Sequence, residues 1–180
     1  HAEGGGTVAA GDWSHTEGNN TTATVNYAHA EGQYTTASGQ FAHAEGNYSI
    51  ASGTHAHAEG DKSLASGNYS HAEGQHATAS AGSSHAEGSY TKANSFGGHA
   101  EGFHTFTTTN NYNHAEGLYT TASGVGSHAE GSGSKAVGSY SHAQGEKTDA
   151  AALGSFASGL KSKTAGNYGF AHGYQVTSSL

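Results

Sequence analysis

The stretch AHAEGQYTTASGQF, residues 28–41, is one unit of a repeat that runs through the chain. Its histidine recurs every 14 residues as far as His99, and after one inserted residue the series resumes at His114. Phe156 and Phe170 continue the same register. A fixed period of this kind is typical of a solenoid in which each repeat forms one turn. The chain holds thirteen such turns.

Each unit contains two five-residue blocks separated by two-residue spacers. In AHAEG, small residues fill the first, third and fifth places, and His29 and Glu31 fill the other two. This period-2 alternation predicts a strand with one buried face. The glycine that closes each block permits the sharp corner that a coil needs. We therefore predict an all-β parallel solenoid of about thirteen 14-residue turns, with two short strands per turn.

Composition restricts both the interior and the function. The chain of 180 residues has 29 Gly, no Cys, Pro or Met, and few large aliphatic side chains, so only Ala, Ser, Gly and Thr point inward. The formal charge of −8, with no Arg, excludes a nucleic-acid surface. No stretch is apolar enough to insert into a membrane. Because thin coils bury little apolar area, we expect several chains to associate side by side.

The unit SHAEGxxTxASGxx resembles the 14-residue SVAIGxxSxAxG repeat of the YadA-like head of trimeric autotransporter adhesins, over residues 1 to about 175. The resemblance implies a left-handed parallel β-roll assembled as a homotrimer. Closely similar HAEG repeats also occur in phage and prophage tail-fibre proteins. The first strand departs from the family pattern, because His and Glu replace apolar residues at its outward positions.

The repeated His-x-Glu pairs predict two parallel columns. Residues two apart in a strand share a face about 7 Å apart, and stacked glutamates about 5 Å apart repel each other by about 1 kcal/mol in water. The outward position of the second strand changes from turn to turn, as Thr36, Ile50 and Leu64 show. The outward positions of the first strand hardly change from turn to turn, which favours a uniform environment along the coil. We therefore hypothesise a trimer seam of hydrogen bonds between chains. The predicted seam residues are His15, Glu17, His29, Glu31, His43, Glu45, His57, Glu59, His71, Glu73, His85, Glu87, His99, Glu101, His114, Glu116, His128, Glu130, His142, Phe156 and Phe170.

Pairing has an expected effect on titration. A histidine that binds a glutamate is expected to have a raised pKa, and the glutamate a depressed one. Such a seam would be most robust in mildly acidic to neutral solution.

We interpret residues 1–180 as a single continuous β-roll segment, a fragment of a longer fibre protein. Residues 103–113 form an irregular turn with the one-residue insertion, expected as a corner bulge. Residues 156–180 are expected to close the seam or lead to the next domain, since Phe156 and Phe170 replace the motif histidine.

Aromatic residues recur at the two corners of the coil. They either cover the edge of the coil or contact a host receptor or surface glycan. The candidate contact residues are Trp13, Tyr27, Phe41, Tyr69, Tyr34, Tyr48, Tyr90 and Tyr119.

The expected function is that of a structural and adhesive segment of a homotrimeric fibre on a cell or virion surface. It acts as a stiff extracellular spacer, in a bacterial adhesin or in a phage tail fibre. No residue is set apart from the repeat as a nucleophile, so we expect no enzyme and no cofactor. A metal- or ice-binding solenoid is the alternative of a different class. The His-x-Glu pairs are weak metal candidates, and their number favours a structural column over a dedicated site.

Overall fold

The chain folds into coils of two short parallel strands. The computed structural model describes residues 1–108 and 110–179. Two compact units, His1–Tyr90 and Thr91–Leu180, are each an all-β parallel solenoid. Together they contain about thirteen turns with two strands each, which confirms the predicted fold class. The handedness of the coil stays a prediction. Along the described residues, no helix provides a long apolar run of the kind that crosses a bilayer.

In the first unit, each strand pairs with its copy one repeat away, as His57 pairs with His71 and Leu64 with Thr78. The first sheet contains β1 (Ala2–Gly5), β3 (His15–Asn19), β5 (His29–Gln33), β7 (His43–Ala44), β9 (His57–Asp61), β11 (His71–Gln75) and β13 (His85–Ser89). The second sheet contains β2 (Val8–Ala9), β4 (Thr22–Ala23), β6 (Thr36–Ala37), β8 (Ile50–Ala51), β10 (Leu64–Ala65) and β12 (Thr78–Ala79).

The second unit repeats this arrangement. Its first sheet contains β15 (His99–Phe103), β17 (His114–Leu118), β19 (His128–Ser132), β21 (His142–Glu146), β23 (Phe156–Leu160) and β25 (Phe170–Tyr174). Its second sheet contains β14 (Lys92–Ala93), β16 (Phe106–Thr107), β18 (Thr121–Ala122), β20 (Lys135–Ala136), β22 (Asp149–Ala150), β24 (Lys163–Thr164) and β26 (Thr177–Ser178).

The inserted residue falls at a corner of the second unit. His99 pairs with His114 and Phe106 with Thr121, so both sheets keep their register across it. The extra residue therefore lies after β16 and before β17. Thr109 in this segment, and Leu180 at the end of the 156–180 segment, lie outside the described residues.

The second strand of each turn is shorter than the predicted five-residue block. In β6 only Thr36 and Ala37 are extended. The next two amides, of Ser38 and Gly39, both donate to the carbonyl oxygen of Ala51, at 2.9 and 3.2 Å. Because the two amides share one acceptor, the chain departs at this point from the regular ladder of hydrogen bonds between strands. The amide of Ala42 then donates to Gly39 and closes the corner.

The interior consists of small side chains, as predicted. In the described residues, the buried side chains are Ala, Ser and Thr, with Asn113 as the one larger exception. Asn113 precedes the motif histidine beside the insertion, and its amide nitrogen donates to the carbonyl oxygen of Ala122 at 2.9 Å. Some buried hydroxyls join successive turns, since Ser49 and Ser63 donate to glycine carbonyls of the next turn at 3.0 and 2.9 Å.

The glycine that closes the first block of each turn is required by the backbone. In all thirteen turns its φ lies between 96° and 129°, a region that side chains other than hydrogen rarely enter. A Cβ on Gly60 would also lie 2.2 Å from the carbonyl oxygen of Gly74. The second-block glycine differs. Gly53 has no positive φ, but a Cβ there would lie 2.0 Å from the carbonyl oxygen of Gly67, so close approach alone requires this glycine.

We predict that Gly60→Ala destabilises the fold by about 3 kcal/mol, because it combines a strained φ with a backbone collision. Gly5→Ala is the control and costs about 1 kcal/mol or less, since Gly5 has no positive φ and a Cβ there would meet only the Asn19 side chain, at 3.9 Å. Thermal and denaturant unfolding measure both. Equal losses in the two variants would contradict the requirement for glycine at the first position.

A candidate interface of histidine and glutamate columns

The motif histidines form a stack of rings in each unit. Parallel strands in register place identical residues directly above one another at about 4.8 Å. In the first unit the rings from His15 to His85 are separated by 4.6–4.9 Å. In the second unit the rings from His99 to His142 are separated by 4.6–4.7 Å. The structure thus brings the predicted seam histidines together as two continuous columns.

The motif glutamates stand beside these rings without bonding them closely. The Nε2 atom lies 3.9 Å from its glutamate oxygen in the His29–Glu31 pair and 3.6 Å in the His99–Glu101 pair. The pairs that begin at His43, His71, His85, His114 and His128 fall between these values. A hydrogen bond needs about 2.7–3.2 Å. These seven pairs are therefore neighbours of opposite charge type and not hydrogen-bonded partners, whereas Nε2 of His1 lies 2.7 Å from the Glu3 carboxylate.

Most Nε2 atoms of the described motif histidines are covered and have no hydrogen-bond partner. The side chain of His43 is 35% exposed, yet its Nε2 atom is covered and makes no hydrogen bond. The same holds for the Nε2 atoms of His15, His29, His57, His71, His114, His128 and His142. A covered polar atom without a partner costs about 1–3 kcal/mol, so native proteins rarely leave one. These eight atoms are therefore candidates for a partner from outside the chain.

The pKa shifts expected from the sequence are wrong for four groups, the histidines His43, His71 and His128 and the glutamate Glu45. Burial, followed by the positive charge of neighbouring histidines, holds the pKa of His43, His71 and His128 below 6.5. The glutamates raise these pKa values by less than burial and the other histidines lower them. Stacking contributes to both effects, because the rings above and below cover each ring and bring like charges close, whereas its carboxylate lies only at the side.

Glu45 is shifted upward instead of downward. Hydrogen bonding to the Glu31 carboxyl, burial and the negative charge of Glu59 raise the pKa of Glu45 to about 7. The glutamate column therefore relieves its repulsion by retaining a proton at Glu45. The sequence predicted charged histidines paired with charged glutamates. At neutral pH the structure instead has neutral rings at these three histidines and a partly protonated carboxyl at Glu45.

These shifts have opposite consequences for stability. Protonation of His43 begins in the unfolded chain near pH 6.5, so its contribution falls as the pH drops below that value. Glu45 ionises first in the unfolded chain, above pH 4.5, so its contribution falls as the pH rises towards about 7.

We predict that NMR titration of metal-free protein gives a midpoint below 6.5 for His43 and about 7 for Glu45. Glu45→Gln removes a carboxyl that ionises unfavourably, so this variant is expected to be more stable than the wild type at pH 8. Glu146→Gln, outside the motif column, is the control. A Glu45 midpoint at or below 4.5 would refute the shared proton.

The C-terminal turns end the polar columns. Phe156 and Phe170 stack at 5.3 Å in the positions of the motif histidine. In place of the glutamates, the hydroxyl of Ser158 lies 2.7 Å from Nδ1 of His172. Phe170 is 68% exposed, which places an apolar ring at the end of the same face.

The aromatic corner columns occupy strained backbone. Tyr34 and Phe41 have φ values of 56° and 59°, and most other residues in their two columns share this left-handed conformation. For a residue other than glycine it costs about 1–2 kcal/mol. The sequence predicted glycine at the sharp corners, and the structure shows that aromatic residues also adopt the left-handed backbone conformation there. Parallel stacking at 4.7 Å, as between Tyr34 and Tyr48, offsets part of the cost.

The candidate contact residues are exposed, but many ring faces are occupied. Phe41 is sandwiched between Tyr27 and His55, at 4.9 and 4.7 Å. Trp13 is 83% exposed. The exposed fractions of Tyr27, Tyr34, Phe41, Tyr48, Tyr69, Tyr90 and Tyr119 range from 40% to 65%. The edges of these rings are therefore exposed to solvent while many of their faces are covered. Contact with a receptor stays a prediction.

At Tyr34, we predict that glycine is better tolerated than alanine. Both variants lose the stacked ring, but only Tyr34→Ala keeps the left-handed strain, so Tyr34→Gly is more stable by about 1 kcal/mol. Denaturant unfolding measures the difference. At the extended position Thr36, the same comparison is expected to reverse. If alanine is also the better residue at position 34, the corner carries no strain.

Within one chain, two consecutive histidines and the glutamate between them converge. Ligand atoms of His29, Glu31 and His43 lie within 4.8 Å of one another, and so do those of His128, Glu130 and His142. Sequence analysis considered the His-x-Glu pairs as metal candidates and missed these triads, which join two turns. The in-register period of 14 was the signal that could have revealed them.

Two short parallel strands per turn and like residues in columns define the class of β-solenoid repeat proteins. The family model described as YadA head domain repeat (2 copies) matches residues 2–24, 30–56, 58–80 and 115–141, more than half of the chain. The chain belongs to this family. Its repeats imply a trimeric, adhesin-like structural segment with a surface-exposed location, and its fold is that of structural repeats and not of enzymes. No curated protein matches the chain in a sequence comparison.

Proposed function

We propose that this chain is a shaft segment of an extracellular homotrimeric fibre, and that the histidine and glutamate columns form the seam between its chains. The observation that carries the proposal is the column of covered Nε2 atoms without hydrogen-bond partners. Neighbouring chains supply donors and acceptors of the same kind at every turn. The family supports three chains.

Charge favours a seam on this face. Lowered pKa values keep His43, His71 and His128 neutral at neutral pH, and Glu45 retains a proton there. Neutral imidazole both donates and accepts a hydrogen bond, and a protonated carboxyl donates one. Burying these groups between chains therefore costs less than burying charged ones. The exposed Phe170 ring supports an apolar end to the seam.

The fibre acts as a stiff spacer with an adhesive surface. Within each unit every turn is hydrogen-bonded to the next, which supports stiffness. The corner columns place exposed aromatic rings such as Trp13 on the outside, where a host receptor or a surface glycan can contact them. The family match supports a bacterial surface adhesin as the owner over a phage tail fibre. A coiled-coil stalk and membrane anchor in the flanking sequence would identify the adhesin, and a virion-attachment domain would identify the fibre.

We predict that His57→Asp combined with His71→Asp converts the trimer to monomers at neutral pH. Two further carboxylates per chain would be buried in the seam beside the glutamate column and would add to its negative charge. Light scattering measures the mass, which is expected to fall from three times 18.0 kDa to that of one chain.

The matched control is Leu64→Asp combined with Thr78→Asp, in the same two turns but on the second strand. Asp149 already occupies that column, so these changes are expected to leave the trimer intact. Dissociation of the control with retention of the seam variant would place the interface on the second sheet and refute the proposal.

A further inference from the structure

We propose that consecutive His-x-Glu turns within one chain bind divalent transition-metal ions of the zinc class, with two imidazole nitrogens and one carboxylate as ligands. The clearest sites are the triads His29, Glu31, His43 in the first unit and His128, Glu130, His142 in the second. The inference does not depend on the trimer, because all three ligands of a site come from one chain.

The ligand distances fit an ion better than a hydrogen bond. In the first site the carboxylate of Glu31 lies 3.9 Å from Nε2 of His29 and 3.9 Å from Nε2 of His43. Two metal–ligand bonds of about 2.0–2.1 Å span about 3.4 Å at a tetrahedral angle. The two distances run to different oxygens of Glu31, and with one ligand atom per residue the three atoms lie within 4.8 Å of one another. Side-chain rotations that close these gaps by up to about 1.4 Å bring the three atoms onto one ion. No hydrogen bond to these nitrogens has to be broken first.

Ring orientation distinguishes the two sites. The rings of His29 and His43 are parallel within 1°, so their lone pairs point in the same direction and must rotate to converge. The rings of His128 and His142 are already inclined by 27° at 4.6 Å. Glu130 lies 3.7 Å from Nε2 of His128. The two sites therefore differ in the ring rotation that convergence on one ion requires.

The donor set selects the kind of ion. Imidazole nitrogens suit Zn²⁺, Co²⁺, Ni²⁺ and Cu²⁺, whereas Mg²⁺ and Ca²⁺ prefer oxygen ligands. A single carboxylate with two nitrogens therefore disfavours the hard cations.

Neighbouring triads compete for ligands. His43 also belongs to a triad with Glu45 and His57, and His128 to one with His114 and Glu116. Since one Nε2 atom binds one ion, overlapping triads are not filled together. Removal of His43 or of His128 therefore abolishes two triads but about one bound ion.

The test is titration of EDTA-treated full-length chain with Zn²⁺ by calorimetry, and with Co²⁺ by visible absorption. We expect saturable binding of both ions and none of Mg²⁺. His43→Gln and His128→Gln are each expected to lower the Zn²⁺ plateau by about one ion per chain. The matched controls are His55→Gln and His104→Gln, two corner histidines outside the triads, which are expected to leave the plateau unchanged.

Paramagnetic broadening by Ni²⁺ keeps the test valid if a variant fails to fold. In the wild type, the side-chain signals of His43 and His128 are expected to broaden before those of His55. Absence of Zn²⁺ and Co²⁺ binding, or broadening led by His55, would overturn the proposal. The mass of the same metal-free samples reports on the seam separately, so a failure of one inference does not conceal the state of the other.

Discussion

Every other feature of this molecule depends on the parallel, in-register stacking of each turn on the next. The motif glycines are required by it, since a side chain at Gly60 would collide with the carbonyl of Gly74. The small interior follows as well, because alanines such as Ala30 and Ala37 leave no exposed surface between the two sheets. Stacking with a constant period also means that each residue type is repeated as a column.

A column places like groups against like groups, and this determines the electrostatics of the face. Histidines that stack lower one another's pKa values, and Glu45 keeps a proton by hydrogen bonding to Glu31. The His–Glu distances of 3.6–3.9 Å are too long to satisfy the ring nitrogens within the chain. We propose that a partner on this face completes the molecule, either a second and third chain or a bound ion. The two compete for the same Nε2 atom but can occur at different turns, because overlapping triads are not filled together.

Much of the fold could be predicted from the sequence because the period is strict. The alternation around Ala28 and Ala30 predicted the first strand, and the spacing of His57 and His71 predicted their pairing. The length of the second strand could not be predicted, since it depends on two amides sharing the Ala51 carbonyl. The titration of Glu45 was also beyond the sequence. Pair spacing suggested a glutamate opposite a histidine, but side-chain placement brings it to Glu31.

The most direct test of the seam is the distance between chains, measured by pulsed electron resonance on spin labels at single cysteines. The chain has no native cysteine, so His71→Cys and Thr78→Cys each carry one label at a defined column of the same turn. The account predicts a short interchain distance at position 71 and a clearly longer one at position 78. A shorter distance at position 78, or no interchain distance at either position, would contradict a seam of stacked histidines and glutamates.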